Sequence, residues 1–378
     1  MNTLTVGMIA GEFHARRVRG LKQDVLRLVE EVIDDGVFHG GRRIRELEAT
    51  AGERWGGHAL CVSSGTMALE TAVRALGIGA GDEVIVPALT FVSTAFAVAA
   101  AGAVPVFVDI DPSTRTIDPR AVAAAVTPRT RAVIPVHLHG LMADMTAIRA
   151  VADTHGLAVI EDCAQAAGAT DAGRHAGSMG DIGCFSMWVG KNLGGLADGG
   201  LLLTRDPARL PLLRKLTDLG RDGERNTHHV RGSRGRMGEI DAAVIRHQLD
   251  LLPAWTERRR AVAARYTDAF AGLPVHRPGD VAGRSHTYYK YPLTTADPAV
   301  AASLMAHLSR AGITTEQVYP QALPHQPAMA DIPHRVEDID VSLDVVPRTV
   351  CLPIAPELTD QEADRVVEAV HAFHSDRT

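Results

Sequence analysis

A chain of 378 residues can bury a large core, as one big α/β domain with an appendage or as two units. Its net charge of −6 and its 4 % aromatic content exclude electrostatic attraction to nucleic acid or anionic membranes, and broad base-stacking platforms. Four scattered cysteines (Cys61, Cys163, Cys184, Cys351) with no CxxC pair exclude a disulfide framework and point to a reducing compartment.

The opening run MNTLTVGMIAGEFHARRVRG lacks an extended apolar segment, and no stretch approaches the ~20 apolar residues of a membrane span. A cytoplasmic location is therefore expected. Apolar spacing predicts helices over Leu21–Asp35 and Arg43–Trp55, parted by the turn-like residues 36–41. An alternation follows: helix Thr66–Leu76, strand Glu83–Pro87, helix Thr94–Ala101, strand Val104–Ile110, helix Pro119–Val126. It continues with strand Ala132–Leu138, helix Asp144–Thr154 and strand Leu157–Ile160. Short apolar runs between amphipathic helices predict a mostly parallel sheet covered on both faces. Two more strands are expected near Gly183–Met187 and Gly200–Thr204, then a long helical region over about 238–271. A smaller C-terminal α+β unit should hold the strand His286–Leu293 and the helices Pro298–Gly312 and Asp360–Phe373.

Three motifs carry chemistry. Ser63-Ser64-Gly65-Thr66 precedes a helical pattern, where free N–H groups and a positive dipole end suit a phosphate; taken alone, the motif reads as a plain N-cap. Val159-Ile160-Glu161-Asp162 ends an apolar strand in an acid, at the sheet edge where open α/β folds bind ligands. Alternation along that strand turns Glu161 away from Asp162. In Gly183–Gly195 a lone Lys191 sits among small and apolar residues, a setting for an amine nucleophile, although a surface lysine beside a glycine turn also fits. Only 4 of the 39 basic residues are lysines (Lys22, Lys191, Lys215, Lys290), so an amine at this place is pointed. His137 and His139 alternate on an expected strand without nearby ligand partners, so packing rather than a metal is expected there. Residues 221–236 hold five arginines with His228 and His229, either a solvated loop or a seat for an anionic substrate.

The run SSGTMALETAVRALGIGAGDEVIVPALTFVSTAFAVAAAGAVPVFVDID, followed by VIEDCAQAAGA and GDIGCFSMWVGKNLGGLADGG, resembles the DegT/DnrJ/EryC1/StrS family of pyridoxal-phosphate (PLP) dependent sugar aminotransferases. The later segments RMGEIDAAVIRHQLDLLPAWTERRRAVAARY, HTYYKYPL and CLPIAPELTDQEADRVVEAV are similar in the same order, over roughly residues 20–375. The resemblance implies the type I aminotransferase fold: an αβα sandwich with a mostly parallel sheet and a smaller C-terminal α+β domain. The expected division is a large cofactor-binding domain over 1–254 and the smaller one over 255–378.

By the same resemblance Lys191 forms the Schiff base and shuttles a proton, Asp162 pairs with the pyridinium nitrogen and Gln165 lies near the 3-hydroxyl. Gly65, Thr66 and Ser186 bind the phosphate, and Phe91 stacks on the ring. No metal is implied, and the protein should be a homodimer with active sites shared between subunits. Where the family has asparagine in a Gly-x-Asn-x-Arg run directed at the partner's phosphate, this chain has Arg234, whose fork also suits phosphate. Gly40-Gly41-Arg42 stands where a Gly-Pro pair is usual. Members that remove a hydroxyl carry histidine at the position of Lys191, so lysine favours amine transfer. The implied reaction moves an amino group from L-glutamate or L-glutamine to a nucleotide-linked keto-deoxysugar. GKNLGGLADGG resembles members acting at a 3-keto position. A ketocyclitol acceptor is the second expectation, and a PLP-binding regulator or partner subunit without turnover the third. A Rossmann dehydrogenase is set aside, because no GxGxxG follows an early strand.

Overall fold

The computed structural model describes residue 9, residues 13–279 and residues 281–375. The reading of the opening run as leaderless falls largely on residues outside these. In chain order the elements are α1 (His14–Gly20), α2 (Lys22–Asp35), α3 (Arg42–Trp55), β1 (His58–Val62), α4 (Gly65–Ala75), β2 (Glu83–Pro87), α5 (Val92–Ala100) and β3 (Val104–Val108). Next come α6 (Pro119–Ala125), β4 (Thr130–Val133), α7 (Met145–His155), β5 (Ala158–Asp162), β6 (Thr170–Asp171), β7 (Arg174–His175), β8 (Ile182–Ser186) and β9 (Gly200–Thr204). The remainder are α8 (Leu210–Thr217), α9 (Glu239–Ala269), β10 (Arg284–Ser285), β11 (Tyr291–Thr294), α10 (Pro298–Arg310), β12 (Arg335–Val336), α11 (Asp340–Val345), β13 (Thr349–Leu352) and α12 (Asp360–Ser375).

Eight strands form one sheet in the order β1-β9-β8-β5-β4-β2-β3-β12. Pairings from β8 to β12 are parallel, whereas β9 runs antiparallel to both β8 and β1. Alternation splits each buried strand between two cores. Ile85, Val106, Val133 and Val159 face Leu47, Trp55, Ile245 and Leu249 of α3 and α9. Val84, Val86, Phe107 and Ile160 face Ala68, Leu69 and Val98 of α4 and α5. A third core joins Tyr266 and Phe270 at the end of α9 to β11, β13, α10 and α12. Ile9 and Phe13, from the N-terminal segment, pack into that C-terminal core.

The 31-residue helix α9 runs through residue 254 without a break and carries Pro253 in its interior. Proline has no N–H, so the carbonyl of Leu249 one turn earlier loses its helical partner. Arg54 of α3 supplies the replacement, donating to the Leu249 carbonyl and pairing with Asp250 at 2.8 Å. Among the described residues no helix is long and apolar enough to cross a membrane.

Three expectations about elements are corrected. The strand expected over His286–Leu293 is only β11, Tyr291–Thr294. Thr287 and Lys290 spend their N–H groups on the carbonyls of Gly140 and His139, and Tyr288 turns the backbone to φ +46°, so 286–290 is a loop. The strand expected over Ala132–Leu138 stops at Val133 as β4, because Pro135 cannot donate to a ladder. His137 and His139 therefore lie on a turn, His139 at φ +58°, rather than alternating along a strand. Finally, β1, α1, α8, β12 and β13 were not among the expected elements. HALCV, the sequence of β1, lacks the β-branched run that marks the central strands.

Candidate active site

The carboxyl ends of β5 and β8 and the start of α4 open on one cavity of about 520 Å³. Seven of the eight residues expected to hold a cofactor line it: Gly65, Thr66, Phe91, Asp162, Gln165, Ser186 and Lys191. Arg234 does not; it is exposed, in a loop bridged to Asp218.

At one end, Ser64 caps α4, its hydroxyl accepting the Met67 N–H at 3.1 Å. Both readings of this motif thus hold at once: Ser64 is the cap, while Gly65 and Thr66 begin the helix with N–H groups that have no intrahelical acceptor. Gly65 lies against Ser186 so closely that a Cβ would stand 2.6 Å from the serine Cβ. The Thr66 hydroxyl meets that of Ser93 at 2.7 Å. Hydroxyls and free N–H groups at the positive end of a helix make a cup for an anion.

Asp162, at the end of β5, is buried and accepts from the Thr94 hydroxyl at 2.9 Å and the Ala164 N–H at 3.1 Å. Thr94 is held in turn by Thr90 at 2.8 Å. Burial raises the Asp162 carboxyl above its ordinary value, against the pull of Ala164, Thr94 and the charge of Lys191. Such a carboxylate is completed by a cation across the cavity. Gln165 is fixed in orientation: Oε1 accepts the His139 N–H at 2.7 Å, so the amide nitrogen donates to the Tyr319 hydroxyl at 3.0 Å.

Lys191 sits on a tight turn after β8, its N–H donating to the Trp188 carbonyl at 2.8 Å. Arg17 of α1, buried over the face of Trp255, donates to the Lys191 carbonyl at 2.8 Å and pairs with Glu357 at 3.0 Å. The Lys191 Nζ lies 4.7 Å from the centroid of the Tyr289 ring. Phe91, 52 % exposed, stands at the rim with its ring 5.8 Å from that of Tyr319.

Arg17, Arg259, Tyr289, Lys290, Glu316 and Tyr319 also line the cavity and were not singled out by the sequence. Lys290 was flagged only as one of four lysines, and HTYYKYPL only as a stretch of resemblance; nothing local marks the others.

His137, contrary to expectation, does have potential metal-ligating neighbours, since Glu161 and Cys163 bring ligand atoms within 4.8 Å of it and of one another. Their capacity is spent. Oε2 of Glu161 accepts from His137 Nε2 and the Gly177 N–H, each at 2.9 Å, and Oε1 from Met179 at 2.7 Å and Gly180 at 2.5 Å. The other imidazole nitrogen accepts the Ala143 N–H at 3.2 Å. This is a buried structural network on the far side of the strand from Asp162. His139 is likewise packing: burial holds its imidazole down at about 3, and Nε2 bonds the Val318 carbonyl.

An anion cup, a buried carboxylate and a lysine amine, all facing one cavity, match the phosphate, ring nitrogen and aldehyde of PLP in kind. The DegT/DnrJ/EryC1/StrS aminotransferase family model matches residues 20–371. The UDP-N-acetyl-3-dehydro-α-D-glucosamine 3-aminotransferase of Acidithiobacillus ferrooxidans is 41 % identical over 356 residues, covering 93 % of this chain and 94 % of that protein. A pleiotropic regulatory protein of Geobacillus stearothermophilus is 39 % identical over 358 residues, covering 94 % and 95 %. The crystal structure of S. venezuelae DesV in complex with a ketimine intermediate superposes with a TM-score of 0.93 at 36 % identity, covering 98 % and 99 %. The chain belongs to the DegT/DnrJ/EryC1/StrS aminotransferase family and is a PLP-dependent aminotransferase of fold type I.

Proposed function

We propose that the protein moves an amino group from L-glutamate or L-glutamine onto a nucleotide-linked keto-deoxysugar, at the 3-keto carbon. The observation that carries this reading is the placement of the Lys191 amine and the Asp162 carboxylate on one cavity beside the free N-terminus of α4. The acceptor class is supported by the Acidithiobacillus relative, named for amination at position 3 of a UDP-linked sugar.

PLP, when bound, supplies an aldehyde carbon for the donor nitrogen and an electron-withdrawing ring that acidifies the donor Cα. The chain's residues then act as follows in this reading. Lys191 would hold the cofactor through its aldehyde, and its amine would carry the proton between the donor Cα and the cofactor. Asp162, held by Thr94 and Ala164, would keep a proton on the ring nitrogen. Gln165 would serve the ring hydroxyl. The N–H groups of Gly65 and Thr66 and the Ser186 hydroxyl would take the phosphate, and Phe91 would cover a ring face. Arg234, exposed and outside the lining of its own cavity, would reach the phosphate held by a second copy in a homodimer.

The test uses PLP-loaded protein. Glutamate or glutamine should bleach its Schiff-base absorbance and release a keto acid, and a nucleotide-linked 3-keto-sugar should restore the band with an aminated product visible by mass spectrometry. Recovery with ketocyclitols alone would transfer the assignment to that acceptor. The first half-reaction also separates turnover from a purely regulatory role; the Geobacillus relative is named a pleiotropic regulatory protein.

A further inference from the structure

The cavity wall holds an ion pair that cofactor binding does not use. Lys290 Nζ lies 2.6 Å from Glu316 Oε2, with side chains 17 % and 33 % exposed, and both residues line the cavity. The pair is rigidly carried. Lys290 immediately precedes β11, and Glu316 exchanges both backbone hydrogen bonds with Cys351 of β13, at 3.2 and 2.8 Å. Lys290 Nζ also lies 5.2 Å from the Tyr289 ring centroid and Lys191 Nζ 4.7 Å from it, so the two nitrogens are separated by at most about 10 Å. That is within the reach of one pyranose ring with its substituents.

The other cationic groups on the wall are already committed. Arg17 serves Glu357 and the Lys191 carbonyl, and Arg259 serves the carbonyls of Tyr288 and Ile354 at 3.1 and 2.9 Å. Among the described residues the Lys290–Glu316 pair keeps spare capacity: two ammonium hydrogens and carboxylate Oε1. The nucleotide hangs from C1, so the edge of the ring opposite it, C4 and the substituent on C5, is the part offered to the pair.

We propose that Lys290 and Glu316 determine acceptor specificity, seating a neutral hydroxylated edge of the sugar ring and rejecting a ring that carries a carboxylate there. This rests on the acceptor being a nucleotide-linked sugar. A hydroxylated edge both accepts from the ammonium and donates to Oε1, so the pair stays satisfied when water leaves. A carboxylate only accepts. It meets the charge of Glu316 at close range and must lose its own hydration to do so.

Calorimetry on the pyridoxamine-loaded protein tests this with two inert ligands that differ at one carbon, UDP-glucose and UDP-glucuronate. The wild type should bind UDP-glucose at least tenfold more tightly. Glu316→Gln should narrow that ratio to threefold or less by tightening UDP-glucuronate, a gain that misfolding cannot produce. Lys290→Met should weaken UDP-glucose at least fivefold. A wild-type ratio under threefold, or a ratio unmoved in Glu316→Gln, overturns the proposal. If neither ligand binds the wild type while glutamate still bleaches the PLP form, the sugar-nucleotide reading itself fails and this one with it, an outcome distinct from the first two.

Discussion

Replacing Glu161 by glutamine would preserve shape while removing two acceptor positions from a site that needs four. The carboxylate receives His137 Nε2–H and Gly177 N–H on one oxygen and the N–H groups of Met179 and Gly180 on the other. An amide nitrogen in either place faces two donors. The histidine cannot rescue it by changing tautomer, because its other nitrogen would then carry a hydrogen toward the Ala143 N–H. Two buried N–H groups left without an acceptor cost about 1–3 kcal/mol each, so Glu161→Gln should destabilise the fold by about 2–6 kcal/mol. Urea titration at pH 7, followed by circular dichroism, measures this. The pH dependence has a definite sign. Burial alone would raise the Glu161 carboxyl, but the bonds from His137, Gly180 and Gly177 outweigh it and hold the folded-state value low. Its stabilisation is complete above the ordinary glutamate value of about 4.3 and is lost as pH falls below that toward the depressed value. The gap between wild type and variant should therefore shrink in acid. A gap under about 1 kcal/mol at pH 7, or one that widens below pH 4, refutes the hydrogen-bond accounting.

Three further outcomes concern the cavity. Lys191→Arg should abolish the Schiff-base absorbance and turnover together, because a guanidinium cannot condense with an aldehyde; retained turnover would move the nucleophile elsewhere. Asp162→Asn should lower kcat of the donor half-reaction by about a hundredfold, the scale of losing about 3 kcal/mol of charge-assisted bonding in a buried site, read by stopped-flow absorbance. Gly65→Ala should weaken PLP binding at least tenfold in a fluorescence titration, since its Cβ must push Ser186 from a 2.6 Å approach.

The alternation of apolar runs with amphipathic helices made the parallel sheet readable, because each strand of that kind is buried on both faces and carries its signal locally. Asp162 and Lys191 were readable for a related reason: one ends such a strand, and the other is an amine in a chain that otherwise prefers guanidinium. Lys290, Glu316, Tyr319 and Arg17 were not singled out. They reach the cavity from the C-terminal core and from α1, and their meeting depends on the packing of α9 rather than on any neighbour in sequence. Residues 286–290 mislead by composition. Tyr and Thr favour strands, but the N–H groups of Thr287 and Lys290 are claimed by the carbonyls of Gly140 and His139.

The proline within α9 has a mechanical consequence. An interruption that would weaken an isolated helix becomes the fastening point for α3, since Arg54 grips the one carbonyl the helix cannot use. Regularising that turn would remove a polar tie between two helices that already share an apolar core, so the irregularity fixes their register where burial alone would not.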